Sequence, residues 1–351
     1  MSDKPLELGL DTFGDVSAGP DGSPKDMATV LREVVAEAVL ADQVGVDSIT
    51  LGEHHRDDFA ISAPETVLAG IATTTTRIKL SSGVTVLSSD DPIRVFQRFA
   101  TIDALSNGRA EIIVGRGSFT ESFPLFGYQL ADYEVLFEEK LHLLSELLKE
   151  TPVTWSGTHR APLNNHQVYP TSHSGRIKTW VGVGGSPESV VRAARYGFPL
   201  MLAIIGGPAE RFAPYVDLYY RALDQLGLER QPVGVHSPGH IAKTDEQAVE
   251  EMWPNYEKMF GRIGRERGWA PVTKDHFLNE VYHGSLYVGS PETVAKKIAH
   301  TVTTLGVDRF DLKYSTGPLE HGKLLESIEM YGTQVMPMVQ EMVSDRAATP
   351  A

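Results

Sequence analysis

The chain has 351 residues, 41% hydrophobic and 22% charged, with a net charge of −14 and no cysteine. That length suits either one large barrel or two average domains; the missing cysteine excludes disulfides, zinc–thiolate sites and thiol nucleophiles, and the acidic balance opposes a nucleic-acid partner, which needs a basic face. No run reaches the roughly eighteen apolar residues of a membrane helix and "MSDKPLELGL" has no signal-peptide pattern, so no membrane association and a cytoplasmic location are expected.

Along the chain, short β-rich runs alternate with helical patterns, the signature of βαβ units around a parallel sheet. The strand-like runs are "LELGLDTF", "DSITLGEHH", "IKLSSGVTVL", "RAEIIVGRG", "IKTWVGVGG", "PLMLAIIGG", "PVGVHSPGHIA" and "RFDLKYS". Helical patterns such as "MATVLREVVAEAVLADQVG" and "PIRVFQRFATIDALSNG" lie between them, with Gly45, Gly108, Gly197 and Gly227 placed as left-handed helix stops. Eight strand–helix units match the count of a closed (β/α)8 TIM barrel; an open doubly wound sheet is the alternative. Segments 151–178 and 253–286 exceed ordinary connections and are expected as insertions at the C-terminal mouth. Residues 1–343 are expected to form one barrel domain, with 344–351 a disordered tail.

Four strand ends carry chemistry-bearing residues, and in a barrel that is where active sites lie. Behind "DSITL" stands "GEHHRDDF", with Glu53, His54 and His55 adjacent. If the strand continues through them, the two histidines point to opposite sides, so they cannot chelate one metal as a helical i, i+4 pair can. No metal site is expected. A serine hydrolase lacks its GxSxG elbow. There remain a satisfied core histidine and a catalytic one. In "VGRGSFTESF", Arg116 lies between two glycines, placed either for a salt bridge or for an anion. "GGSPESV" at 184–190 reads as a helix start with Ser186 at the N-cap and Pro187 after it, and "VGSPETV" at 288–294 repeats the pattern around Ser290. Such a start suits plain capping or a phosphate.

The long runs "GEHHRDDFAISAPE", "SSDDPIRVFQRFATIDALSNGRAE" and "GRGSFTESFPLFG" resemble the bacterial luciferase-like family of flavin-dependent monooxygenases, over nearly the whole chain from "GLDTFGD" to "EMYGTQVMPMV". The resemblance implies a (β/α)8 barrel that binds FMN. By position it implies that His54 is the active-site histidine, and that Arg116 with Gly117 meets the phosphate while Ser118 lies against the ring. Gly184, Gly185, Ser186 and Ser189 would complete the phosphate site, and the Gly83–Val84 peptide beneath the ring would be cis. Luciferase has an acid where this chain has Gly185, so contact there would be through backbone only. The mobile-loop sequence of light-emitting members is not recognisable, and light emission is not implied.

The activity so implied is an FMN-dependent monooxygenase or oxidoreductase using reduced flavin and dioxygen, by C4a-peroxyflavin chemistry, on a small organic substrate. Reduced flavin would come from a separate reductase or from NAD(P)H, and the assembly would be a homodimer. Glu53 and His55 would support His54, while Phe13, Phe59 and Phe119 would wall the substrate pocket. The alternatives are an F420-dependent hydride-transfer enzyme and a flavin-binding protein without turnover.

Overall fold

The computed structural model describes residues 5–348 apart from Pro20 and Ser118. Its strands are β1 (Glu7–Thr12), β2 (Ser48–Leu51), β3 (Lys79–Val86), β4 (Ala110–Gly115), β5 (Val153–Trp155), β6 (Leu163–His166), β7 (Lys178–Val183), β8 (Leu200–Ala203), β9 (Val233–Ile241), β10 (Tyr287–Gly289) and β11 (Arg309–Lys313). All but the β5–β6 pair are joined in parallel in the order β10-β9-β11-β1-β2-β3-β4-β7-β8, and β8 pairs with β9 again. That last pairing closes eight strands into a barrel, the eight read from the sequence, with β10 as a short extension on β9.

Around it lie α1 (Met27–Gln43), α2 (Pro64–Thr74), α3 (Pro92–Leu105), α4 (Ser122–Leu125), α5 (Tyr133–Leu147) and α6 (Pro187–Arg195). They are followed by α7 (Ala213–Leu226), α8 (Asp245–Arg267), α9 (Lys274–His283), α10 (Pro291–Leu305), α11 (His321–Met330) and α12 (Met336–Ala348). Their starts follow local chemistry. Asp26, Asp91, Ser186, Thr244 and Ser290 each accept a hydrogen bond from a first-turn amide, which satisfies donors that the helix itself cannot. The four expected glycine stops all have positive φ.

Alternation along the strands sets the interior. Leu8, Leu10, Ile49, Leu51, Phe310 and Leu312 face outward and join the helices in the main core. The alternate residues Asp11, Ser48, Thr50, Glu111, Arg309, Asp311 and Lys313 are buried too, on the lumen side. Arg309, with no exposed surface, binds Asp311 through Nε and Nη2 at 2.8 Å each, Glu111 through Nη1 at 2.6 Å and the Thr50 hydroxyl at 3.1 Å. Trp180 donates to Glu111 at 3.2 Å.

One expectation needs correction. Segment 253–286 does form part of the mouth, as α8 and α9, but 151–178 does not. It joins a helix end to a strand start, which in a parallel barrel lies on the N-terminal side, and its β5–β6 hairpin runs along the outer flank of α3 and α5. There Thr158 N donates to Glu139 at 2.6 Å, Gln97 Nε2 to the Tyr169 carbonyl at 2.8 Å, and Ser174 N to Asp103 at 2.7 Å. In the segment 344–351, expected to be disordered, α12 continues to Ala348; residues 349–351 lie outside the described residues. Among the described residues no helix is long and apolar enough to cross a membrane.

Replacing Arg309 by Met would strand two buried carboxylates, a change that typically costs about 3–5 kcal/mol. Chemical denaturation of Arg309→Met should show a loss in that range; a loss below about 1 kcal/mol would mean the cluster is not integral to the barrel.

Candidate active site

A cavity of about 420 Å³ opens at the C-terminal ends of the barrel strands and runs under α8. Its walls include Phe13, His54, Phe59 and Phe119 from the loops, Gly83, Val84 and Ile113 from β3 and β4, and Met259, Phe260 and Ile263 from α8. The Gly83–Val84 peptide is cis. Val84 fills the space left by two glycines: a Cβ on Gly115 or Gly182 would come within 2.8 Å of its methyl groups.

The histidine cluster sits differently from the strand reading. β2 ends at Leu51, and the chain then leaves the sheet, so His54 and His55 both reach the cavity rather than opposite sides of a strand. Gly52 permits the turn, since a Cβ there would lie 2.3 Å from the Phe13 ring. Glu53 holds the loop: Oε2 accepts from the Val86 amide at 2.8 Å and Oε1 pairs with His55 Nε2 at 2.9 Å. The satisfied histidine is therefore His55. The His54 ring lies among Phe13, Phe59 and Phe119, with centroids at 4.4, 4.7 and 5.0 Å, and takes no hydrogen bond from any described residue. Burial, reinforced by the Lys313 ammonium, lowers its pKa from 6.5 to about 3. His54 is a neutral imidazole across the physiological range.

"RDD" acts as a latch. Arg56 binds Asp58 in a fork at 2.8 and 3.1 Å, Glu121 at 2.9 Å and, on α8, Glu266 at 2.7 and 3.1 Å. Arg262 of α8 returns to Asp57 at 2.6 Å. Arg56 and Arg267 both lie over the Phe119 ring, at 4.8 and 4.9 Å. The loop bearing His54 is thus fastened to the helix that roofs the cavity.

At the other rim, Arg116 Nη2 donates to Ser189 Oγ at 3.2 Å, and its other arm pairs with Glu134. Tyr133 lies 5.0 Å beneath the guanidinium and donates to the Gly117 carbonyl at 2.9 Å. Gly184 lines the cavity. Gly185, Ser186 and Ser189 lie outside the lining, and of these Ser189 is bonded to Arg116; Tyr215 donates to the Gly185 carbonyl at 2.8 Å and Ser186 Oγ to Glu188 at 2.7 Å. Ser118 lies outside the described residues. An arginine fork, a serine hydroxyl and the first turn of α6 form a donor set that fits a phosphate, and the apolar slot beside it fits a planar ring.

Sequence reading missed the floor of the cavity. Asp11 and His236 are joined there, Oδ2 to Nδ1, at 3.0 Å. Lys313 binds Asp15 at 3.0 Å and lies 4.4 Å from the Phe13 ring centre. The available signal was a charged residue at alternate positions of otherwise apolar strands, in "ELGLD", "VGVHS" and "RFDLK".

A family model described as luciferase-like monooxygenase matches residues 8–309. The chain belongs to the luciferase-like monooxygenase family. It is an oxidoreductase of flavin-type chemistry in the broad sense that this family shares. Among its relatives is 4-hydroxyprotoasukamycin monooxygenase of Streptomyces nodosus subsp. asukaensis, 30% identical over 62% of each chain. Three solved structures share the fold. Monooxygenase RslO1 from Streptomyces bottropensis has TM-score 0.82 and 22% identity, covering 95% of this chain and 99% of that one. The oxygenating constituent of 3,6-diketocamphane monooxygenase from Pseudomonas putida, in complex with FMN, has TM-score 0.79 and 18% identity over 95% and 98%. The F420-dependent tetrahydromethanopterin reductase of Methanopyrus kandleri has TM-score 0.69 and 18% identity over 95% and 99%.

Two outcomes test this site. The folded pKa of His54 lies below its unfolded value, so between pH 6.5 and about 3 the unfolded chain holds the extra proton. The contribution of His54 to stability is therefore undiminished above that window and falls with pH inside it, by about 1.4 kcal/mol per unit. Denaturation of the parent and His54→Phe across pH should differ by that slope; parallel curves would mean that folding does not lower the His54 pKa. Glu266→Ala should loosen the latch, speeding amide exchange in residues 259–267 up to about fivefold while the barrel strands stay unchanged, since an ion pair with an exposed partner contributes up to about 1 kcal/mol. Unaltered exchange in α8 would show that its packing alone holds it.

Proposed function

We propose that this protein is an FMN-dependent monooxygenase acting on a small organic substrate. The observation that carries it is the meeting of two unlike surfaces at one cavity: a rim at Arg116, with Ser189 and the start of α6 just beyond it, and an aromatic slot ending at His54. A phosphate-bearing flavin matches that order of charge and ring. Bound there, reduced flavin would supply the two electrons that let dioxygen place one atom in the substrate and release the other as water. The protein's share is to grip the phosphate, exclude water with Phe13, Phe59, Phe119 and the α8 roof, and present a neutral His54 at the reacting edge. A neutral imidazole can donate or accept a hydrogen bond there without adding charge. Glu53 and His55 keep its loop in place.

We further propose a homodimer supplied with reduced flavin by a partner reductase or NAD(P)H. F420-dependent hydride transfer is the second reading, supported by the fold shared with the reductase of Methanopyrus kandleri. The absorbance and mass of the cofactor that binds the purified protein separate the two.

Arg116→Ala should weaken FMN binding by about 1.5–3 kcal/mol, the range for a charged hydrogen bond. Ser290→Ala, at the repeated motif, should leave affinity unchanged, since Ser290 caps α10 and its amide is held by Asp245 at 2.6 Å. His54→Ala should bind FMN within a few-fold of the parent and lose about 10²-fold or more in turnover. Titration of each variant with FMN, followed by single-turnover oxidation of the reduced complex, checks all three. Parent-like turnover in His54→Ala would remove His54 from the chemistry, and weakened binding in Ser290→Ala alone would put the phosphate at the wrong helix.

A further inference from the structure

We propose that His236, oriented by Asp11, is the proton acceptor of this cavity, and that it serves a planar substrate bearing an acidic hydroxyl, a phenol or an enol. This rests on reading the cavity as the substrate site of a monooxygenase and names the class of substrate.

The pair is built across the barrel. Asp11 stands on β1 and His236 on β9, with β11 between them, paired to both. Asp11 is 2% exposed, and its Oδ2 meets His236 Nδ1 at 3.0 Å. The ring nitrogen beside the carboxylate is Nδ1, so the proposal places the resting hydrogen there and leaves the Nε2 lone pair to the cavity. No described residue occupies Nε2.

Ring geometry supplies the rest of the specificity. Phe13 stacks on His236, with centroids 6.2 Å apart and planes 18° from parallel, and meets Phe59 edge-on at 5.7 Å. These rings present flat apolar surface to the cavity, against which a planar substrate can lie with its hydroxyl toward the floor. The charges facing His236 are Asp11 from β1 and Asp311 and Lys313 from β11; β8 offers only Met201 and Ala203. Arg309 clamps Asp311 and Asp15 holds Lys313, which leaves Asp11 to stabilise an imidazolium. His54 cannot take that role, since burial keeps it neutral. In the step proposed, the substrate O–H bond breaks and its hydrogen passes to Nε2. The electron pair stays on oxygen, giving an electron-rich phenolate or enolate, and the imidazolium holds its second N–H on Asp11. The proton later returns to the product oxygen or to water.

The test uses 4-nitrophenol, whose ionised form has its own visible band, with the full chain at a pH where the free probe is mostly neutral. The parent should bind it saturably with the phenolate-to-phenol ratio raised at least about tenfold, one pKa unit. In His236→Gln and Asp11→Asn the ratio should return to that of the free probe. Saturable binding as neutral phenol, no saturable binding, or a surplus of phenolate that persists in His236→Gln would overturn the proposal. So would loss of the surplus in His54→Gln but not in His236→Gln. Should the floor variants fail to fold, the ¹⁵N imidazole signals of the parent decide: in the complex with the probe, His236 should be an imidazolium, and a neutral signal in the complex would overturn it. No flavin, oxygen or turnover enters the experiment, so its failure leaves the monooxygenase reading standing, and absent turnover would leave the probe result intact.

Discussion

A guanidinium with no access to water has to be paired in every direction, and the barrel is arranged around that requirement. Arg309 draws Asp311 from its own strand, Thr50 from β2 and Glu111 from β4 onto one point of the lumen. Those strands are not all neighbours, so the ion cluster fixes their relative height as well as their order. A barrel filled with branched apolar residues would be held by volume alone. This one is held by charge, and a buried charge tolerates little displacement of its partners.

The floor of the cavity inherits that rigidity. Asp311 is two residues from Lys313 on β11, and both stand beside Asp11 and His236 in the strand register. The polar plug thus passes without interruption into the groups that face the cavity. Above it the environment changes abruptly to phenylalanine rings, and His54 stands on that side of the change. Two histidines a short way apart therefore have opposite character: one supported by a carboxylate, the other stripped of partners.

The eight strands and the capped helix starts were legible because each is written locally, in alternation, N-cap residues and glycine stops. The cis peptide became legible through long runs shared with a family. Other features were not local. Segment 151–178 has the composition of a long excursion, but composition does not say at which end of the barrel it lies; its place between a helix and the next strand decides that. Alternation places the two histidines on opposite faces only if β2 runs through them, and the chain leaves the sheet at Leu51. The Asp11–His236 pair could not be seen at all, since nothing in either strand names the other.

α8, α9 and β10 enclose a small apolar core of their own, built from residues such as Met252, Tyr256, Phe277 and Val281. This cap meets the His54 loop through ion pairs and turns Met259, Phe260 and Ile263 toward the cavity. Selection for a new substrate could therefore remodel the cap as a cassette, altering the shape of the chamber while the charged lumen and the Arg116 rim keep their form. The architecture separates evolvability from foldedness: novelty is confined to a roof, and the foundations need not change with it.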